Sequence, residues 1–138
     1  MTQAHAAGGG ILYASRSPLT VDRPTKRVEL HAAADARSLV ARRGCERVTL
    51  LLTGIRAPSA DATGVRISMG KVQLATFSLY GLDAGTARTL SFDVPQLPAF
   101  ATPARTVALT MELLGHRSGS VTVESVKIWC EPSGPPGG

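Results

Sequence analysis

Aromatic residues are scarce in this chain: three Phe, two Tyr and one Trp among 138 residues. Cysteine and histidine are scarcer, at two and three. Each shortage excludes something. A metal centre built from imidazoles needs several of them converging, but His5, His31 and His116 are scattered, with no pair at helical spacing. Sequence-reading proteins that bind single strands stack bases on exposed aromatics, and too few are available here to interleave with the basic residues. No apolar run approaches the roughly 18 residues that span a bilayer; the longest clean run is Val48–Leu52. No Gly-x-Ser-x-Gly elbow and no Walker loop occurs, and Gly8-Gly9-Gly10 has no strand before it to make a phosphate cradle. The acids Asp83, Asp93, Glu112 and Glu124 are spread over turns and strand faces. Glu112 and Glu124 are the one carboxylate pair that adjacent strands could bring together, and an ion pair with Lys127 or Arg105 is the commoner outcome. The sequence therefore reads as a protein that is not an enzyme and carries no cofactor or metal of its own.

What is present is alternation. Val107, Leu109, Met111 and Leu113 alternate with Thr106, Ala108, Thr110 and Glu112. Leu90, Phe92 and Val94 alternate with Thr89, Ser91 and Asp93. Period two buries one set of side chains and leaves the other in water. Further strands are expected at Ile11–Ala14, Leu19–Val21, Arg27–His31, Arg47–Thr53, Val65–Met69, Lys71–Tyr80 and Val121–Cys130. Lys71–Tyr80 changes phase, which predicts a β-bulge near Ala75–Thr76. Ala33–Arg43 breaks the period and reads as a short helix ended by Gly44. Arg56–Thr63, Gly81–Thr86, Pro95–Pro103 and Gly115–Gly119 read as loops and turns. The expected fold is an all-β sandwich, jelly-roll-like, of about seven to nine strands with one short helix. It would occupy residues 11–131, between a flexible segment 1–10 and a disordered Pro/Gly tail 132–138.

Charge is modest: 15 basic and 10 acidic residues give +5. Arg16, Arg23, Lys26 and Arg27 form one basic group and Arg37, Arg42, Arg43 and Arg47 another, both readable as solvated surface. Cys45 precedes the strand Arg47–Thr53 and Cys130 ends the last strand. Antiparallel pairing of those strands would bring both to one end of the sheet, where a disulfide is geometrically open; buried free thiols are the favoured alternative. Met1–Gly10 lacks the charged and apolar regions of a secretory signal. The expected location is cytoplasmic by default, unless a leader has been removed or the protein travels with a partner.

The order of units is familiar. Arg47-Val-Thr-Leu-Leu-Leu-Thr-Gly-Ile55 is followed by Leu74-Ala-Thr-Phe-Ser-Leu-Tyr-Gly-Leu82, then Leu90-Ser-Phe-Asp-Val94, Val107–Leu113 and Val121-Thr-Val-Glu-Ser-Val-Lys-Ile-Trp129. Over residues 17–131 this resembles the C-terminal β-sandwich domain of tyrosinases and polyphenol oxidases. It departs from that pattern between the second and third units, where only Val65–Gln73 stands for a longer strand and loop. The dicopper domain that precedes the module in the family is not in this chain, and the Cys-x-x-Cys of some fungal members has no counterpart. The resemblance implies an accessory role: covering a copper oxidase's site with an apolar side chain, or helping it fold or load metal.

Function then rests on surface. Leu97 and Phe100, in the proline-stiffened loop Pro95–Pro103, are candidates to fill a partner's pocket at small entropic cost; the alternative is that they cap the open end of the sandwich. Ile55 and Pro58 form a second candidate contact, and Tyr80 and Trp129 are the remaining large amphipathic groups. The expected partner is a protein, with no nucleic acid and no membrane. Two other functions stay open: a structural subunit that oligomerises through sheet edges, and a carbohydrate-type binding sandwich, which would need a row of exposed aromatics.

Overall fold

The computed structural model describes residues 9–79 and 87–131, with the backbone alone at 42–43, 58–63 and 116–119. Residues 1–8 of the start expected to be flexible, Tyr80, the expected turn Gly81–Thr86 and residues 132–138 lie outside the described residues. Eight strands are described: β1 Gly10–Ala14, β2 Leu19–Val21, β3 Thr25–Ala32, β4 Arg47–Met69, β5 Val72–Ser78, β6 Arg88–Val94, β7 Thr106–Val123 and β8 Ser125–Glu131. Two helices join them, α1 Ala36–Arg43 and α2 Pro98–Ala101. The fold is an all-β sandwich, as the alternation predicts.

Every pairing is antiparallel. In one layer, the first part of β4 lies between β6 and β8, and β8 also pairs with β1. In the other, the last part of β4 lies between β5 and β7, and β7 also pairs with β3. β4 thus belongs to both layers. Its crossing point is Gly54, which has a φ of 65°, within a register shift between Leu52 and Ile55. A positive φ is open to glycine without the Cβ penalty. Side chains that alternate inward from both layers, among them Leu50, Leu52, Ile67, Leu109, Met111 and Ile128, make one core. Phe77 of β5 and Phe92 of β6 stack with ring centroids 5.9 Å apart.

Two expectations are corrected here. Arg56–Thr63 is not a loop and Gly115–Gly119 is not a turn: these segments pair with each other as parts of β4 and β7. Small polar residues support this ribbon because its bonds are backbone bonds. Its register shifts three times, and Pro58, which has no N–H to give, falls in the unpaired step between Arg56 and Ser59. β7 runs on into β8 through a bend at Glu124, whose N–H donates to Thr53 O at 2.9 Å, and both strands lie antiparallel to β4 with no reversal between them. That bend is where the hydrophobic phase changes between Val123 and Val126. The bulge expected near Ala75–Thr76 is present at Leu74–Ala75: Ser68 faces Gln73 and Ile67 faces Ala75, leaving Leu74 as the extra residue, with Leu74 and Ala75 both buried.

The helix before Gly44 is present, and Gly44 ends it with a φ of 71° and an N–H donated to Val40 O at 2.6 Å. α2 is a second helix that the proline count concealed. Pro98 opens it, where its missing N–H costs nothing. The antiparallel pairing of β4 and β8 sets Val48 opposite Cys130, and Cys45 and Cys130 are joined as a disulfide with Cα atoms 5.4 Å apart. The favoured free thiols are thereby corrected.

Candidate functional site

The loop expected to dock is fastened down with its apolar side chains turned inward. Phe100 is 0% exposed, within the core, and Leu97 packs partly buried against it. Tyr13, itself buried, sets the position: its hydroxyl donates to Ala99 O at 2.8 Å and accepts from Ala104 N–H at 3.0 Å. Burial raises the Tyr13 pKa above its ordinary 10.0, against a lowering by the Ala104 hydrogen bond. Gln96 ties the other end of the loop by donating from Nε2 to Cys45 O at 3.0 Å and Glu46 O at 3.2 Å. Phe100 therefore caps the sandwich and does not face a partner. Ile55 is also 0% exposed, because it follows the Gly54 bulge that returns β4 to the core. The Pro58 side chain lies outside the described residues. Tyr13 had no part in the sequence reading. The available signal was that a tyrosine at a buried strand position must satisfy its hydroxyl.

What the loop offers outward is a groove against α1. Arg37, Val40, Ala41, Ala101, Thr102 and Pro103 line a hollow of about 340 Å³. A second hollow of about 270 Å³ continues it past Ala32–Ala34 to Arg105, with Arg37 and Pro103 common to both. The lining is small and apolar, with exposed arginines at the rim. Arg16, Arg23, Lys26 and Arg27 of the first basic group line a larger cleft of about 700 Å³. In the second group, Arg47 lies 3.8 Å from Glu131, and the side chains of Arg42 and Arg43 lie outside the described residues.

The remaining candidates are dispersed. Trp129 is half-buried on the outer face of β8, opposite Thr49 on one side and Ile11 on the other. Gly9 crosses its indole so closely that an added Cβ would lie 2.6 Å from Nε1. His31 Nε2 is 3.6 Å from Glu29 Oε1; His5, Asp83 and the His116 side chain are outside the described residues. Glu112 accepts from Arg66 Nη1 at 3.1 Å. Among the described residues no three His, Cys, Asp or Glu side chains converge, and no charged residue is buried.

No family model matches this chain, and no curated protein does. Solved structures share its fold. A latent aurone synthase, a polyphenol oxidase, superposes with a TM-score of 0.57 at 11% identity, over 86% of this chain and 26% of the oxidase. The same enzyme co-crystallised with hexatungstotellurate(VI) gives 0.56 at 11%, over 84% and 26%. The chain thus spans about a quarter of the oxidase, the extent of one domain of it, and the resemblance to the family's C-terminal sandwich holds in three dimensions. The xylan-binding module CBM15 superposes with a TM-score of 0.52 at 15% identity, over 91% of this chain and 92% of the module. At these identities the likeness is one of fold.

Proposed function

We propose that this chain is a non-catalytic accessory module that docks on a partner enzyme through the groove between α1 and the Pro98–Pro103 segment, shielding or steadying that enzyme. The observation that carries the reading is the groove's preorganisation. Tyr13, Gln96 and the Cys45–Cys130 bridge hold its walls before any partner arrives, so docking orders few new groups. Its apolar floor and the rim cations Arg37 and Arg105 suit a partner that offers an apolar ridge flanked by carboxylates. The fold shared with a polyphenol oxidase domain makes a copper oxidase the first partner to try.

Native mass spectrometry of the chain co-expressed with the proteins encoded beside it, with metal analysis of each complex, tests this. A stoichiometric complex that R37E/R105E weakens at least tenfold supports the reading. A lone chain, or a complex indifferent to those substitutions, overturns it. The fold shared with a xylan-binding module favours a second reading, a carbohydrate-binding sandwich, in which the part of the half-buried Trp129 indole not crossed by Gly9 would stack on a sugar ring. In that case W129A abolishes retention on a xylan affinity gel.

A further inference from the structure

The cleft lined by Arg16, Arg23, Lys26 and Arg27 has walls of two kinds. β1 and β3 pair only at Tyr13↔Ala32 and Ala14↔His31. Beyond Ala14 the chain leaves β3 and enters β2, which pairs with the far end of β7 at Val121–Val123. β3 itself is paired to β7 from Thr25 to His31. Its opposite edge over 25–30 therefore has no strand partner among the described residues. Alternate residues of such an edge turn N–H and C=O outward, so one wall is backbone and the other is the segment carrying Arg16.

None of the four cations belongs to the ion pairs His31–Glu29, Arg47–Glu131 and Arg66–Glu112. Four unneutralised charges around one concavity focus a positive potential. Guarding an open edge against another strand would account for Lys26 and Arg27. It does not account for Arg16 and Arg23, which lie off β3 in the connections before and after β2. The cleft also carries Asp22 and Glu29, and the hydroxyls of Ser17, Thr20 and Thr25. This mixture is selective. A polyacidic peptide would bring no hydroxyls to the two carboxylates, and no Phe, Tyr or Trp lines the cleft to stack a base, the one ring there being His31, 3.6 Å from Glu29. A ligand with both hydroxyl donors and carboxylate acceptors uses every group present.

We propose that this cleft binds an acidic oligosaccharide, a short run of sugars carrying uronate carboxylates. The guanidinium groups take the carboxylates, for which their fork geometry is suited. Asp22, Glu29 and the free β3 edge take the sugar hydroxyls. At about 700 Å³ the cleft falls in the range of roughly 300–1,000 Å³ usual for small-ligand sites. The proposal stands on these residues alone, and neither the docking groove nor the Trp129 face enters it.

Isothermal titration calorimetry with tetragalacturonate tests it, with xylotetraose and a thymidine tetranucleotide as competitors of matched length. The expected result is saturable one-to-one binding of the uronate that weakens severalfold as salt is raised. Xylotetraose should bind at least tenfold more weakly. R16Q/R23Q, both on exposed connections, should lower the uronate affinity at least tenfold with an unchanged melting temperature. R37Q/R105Q, at the docking groove, should leave it unchanged, which separates this site from that one. No binding at millimolar uronate, equal binding of xylotetraose, tighter binding of the nucleotide, or indifference to R16Q/R23Q each overturns the proposal.

Discussion

Tyr13 holds the surface of this module in place with a single oxygen. Its hydroxyl spans Ala99 O and Ala104 N–H, so it fixes both ends of the segment that turns Phe100 inward and leaves Ala101 and Thr102 exposed. Y13F would leave one acceptor and one donor without that partner. Stability should fall by about 1–3 kcal/mol, read as a shift of the urea midpoint at constant slope. The pH dependence has a definite sign. The folded-state pKa is raised, so the folded protein holds the phenolic proton more tightly than the unfolded chain does. That contribution is complete below pH 10.0 and is lost as pH rises through the folded value. The stability difference between wild type and Y13F should accordingly shrink on the alkaline side and stay level from pH 6 to 9. A difference that grows above pH 10 would contradict it. Phe100 is a related case. With its ring fully buried, F100A should cost about 3–5 kcal/mol, whereas the half-buried Leu97 should cost less on truncation. Loss of partner binding in F100A would therefore report unfolding and not a missing contact.

Elements were legible where hydrophobic alternation decides them and illegible where backbone pairing does. β2 and β6 lie where the period places them, because Leu19 and Val21, and Leu90, Phe92 and Val94, each supply one inward row. The ribbon of Arg56–Thr63 with Gly115–Gly119 carries no such row, and Ala, Ser and Gly in those stretches look like loop whether or not their amides are paired. The docking residues were misplaced for a similar reason. Sequence marks Leu97 and Phe100 as apolar side chains on a stiff segment, but the direction they face depends on Tyr13, 86 residues from the carbonyl it bonds. The bend of β4 is legible in part, since Gly54 ends the apolar run. Its necessity can be tested against Gly70. Both glycines have positive φ, 65° and 61°. A Cβ at Gly54 would come 2.5 Å from Glu124 Cβ, whereas at Gly70 nothing lies within 4 Å. G70A should cost only the left-handed penalty of about 1–2 kcal/mol. G54A should cost distinctly more, because the bend at Glu124 must move. Equal thermal shifts for the two variants would show that β4 can bend without that close contact.

At the scale of the whole molecule, one covalent bond closes most of the chain into a loop. Cys45 and Cys130 are 85 residues apart, so the bridge encloses β4 to β8 and leaves β1 to β3 outside. In the unfolded chain such a link removes a large share of conformational freedom; in practice bridges of this span contribute about 2–4 kcal/mol. The bond also joins the end of β8 to the turn after α1, one wall of the groove, so its loss should be felt there as well as globally. C45A/C130A is expected to lower the urea midpoint by the equivalent of about 2–4 kcal/mol. It should also increase hydrogen exchange in α1 and in Pro95–Ala104 before it does so in β7. The order matters: uniform loosening would mean that the bridge acts only on the unfolded state, and faster exchange beginning at α1 means that it holds the groove as well. Bridges of this kind form where thiols are oxidised, so production in an oxidising compartment should give the more stable protein, with neither cysteine open to alkylation before reduction. If the protein from a reducing cytoplasm melts at the same temperature with both thiols alkylatable, the hydrophobic seam between β4 and β8 is sufficient by itself, and the groove owes its shape to Tyr13 and Gln96 alone.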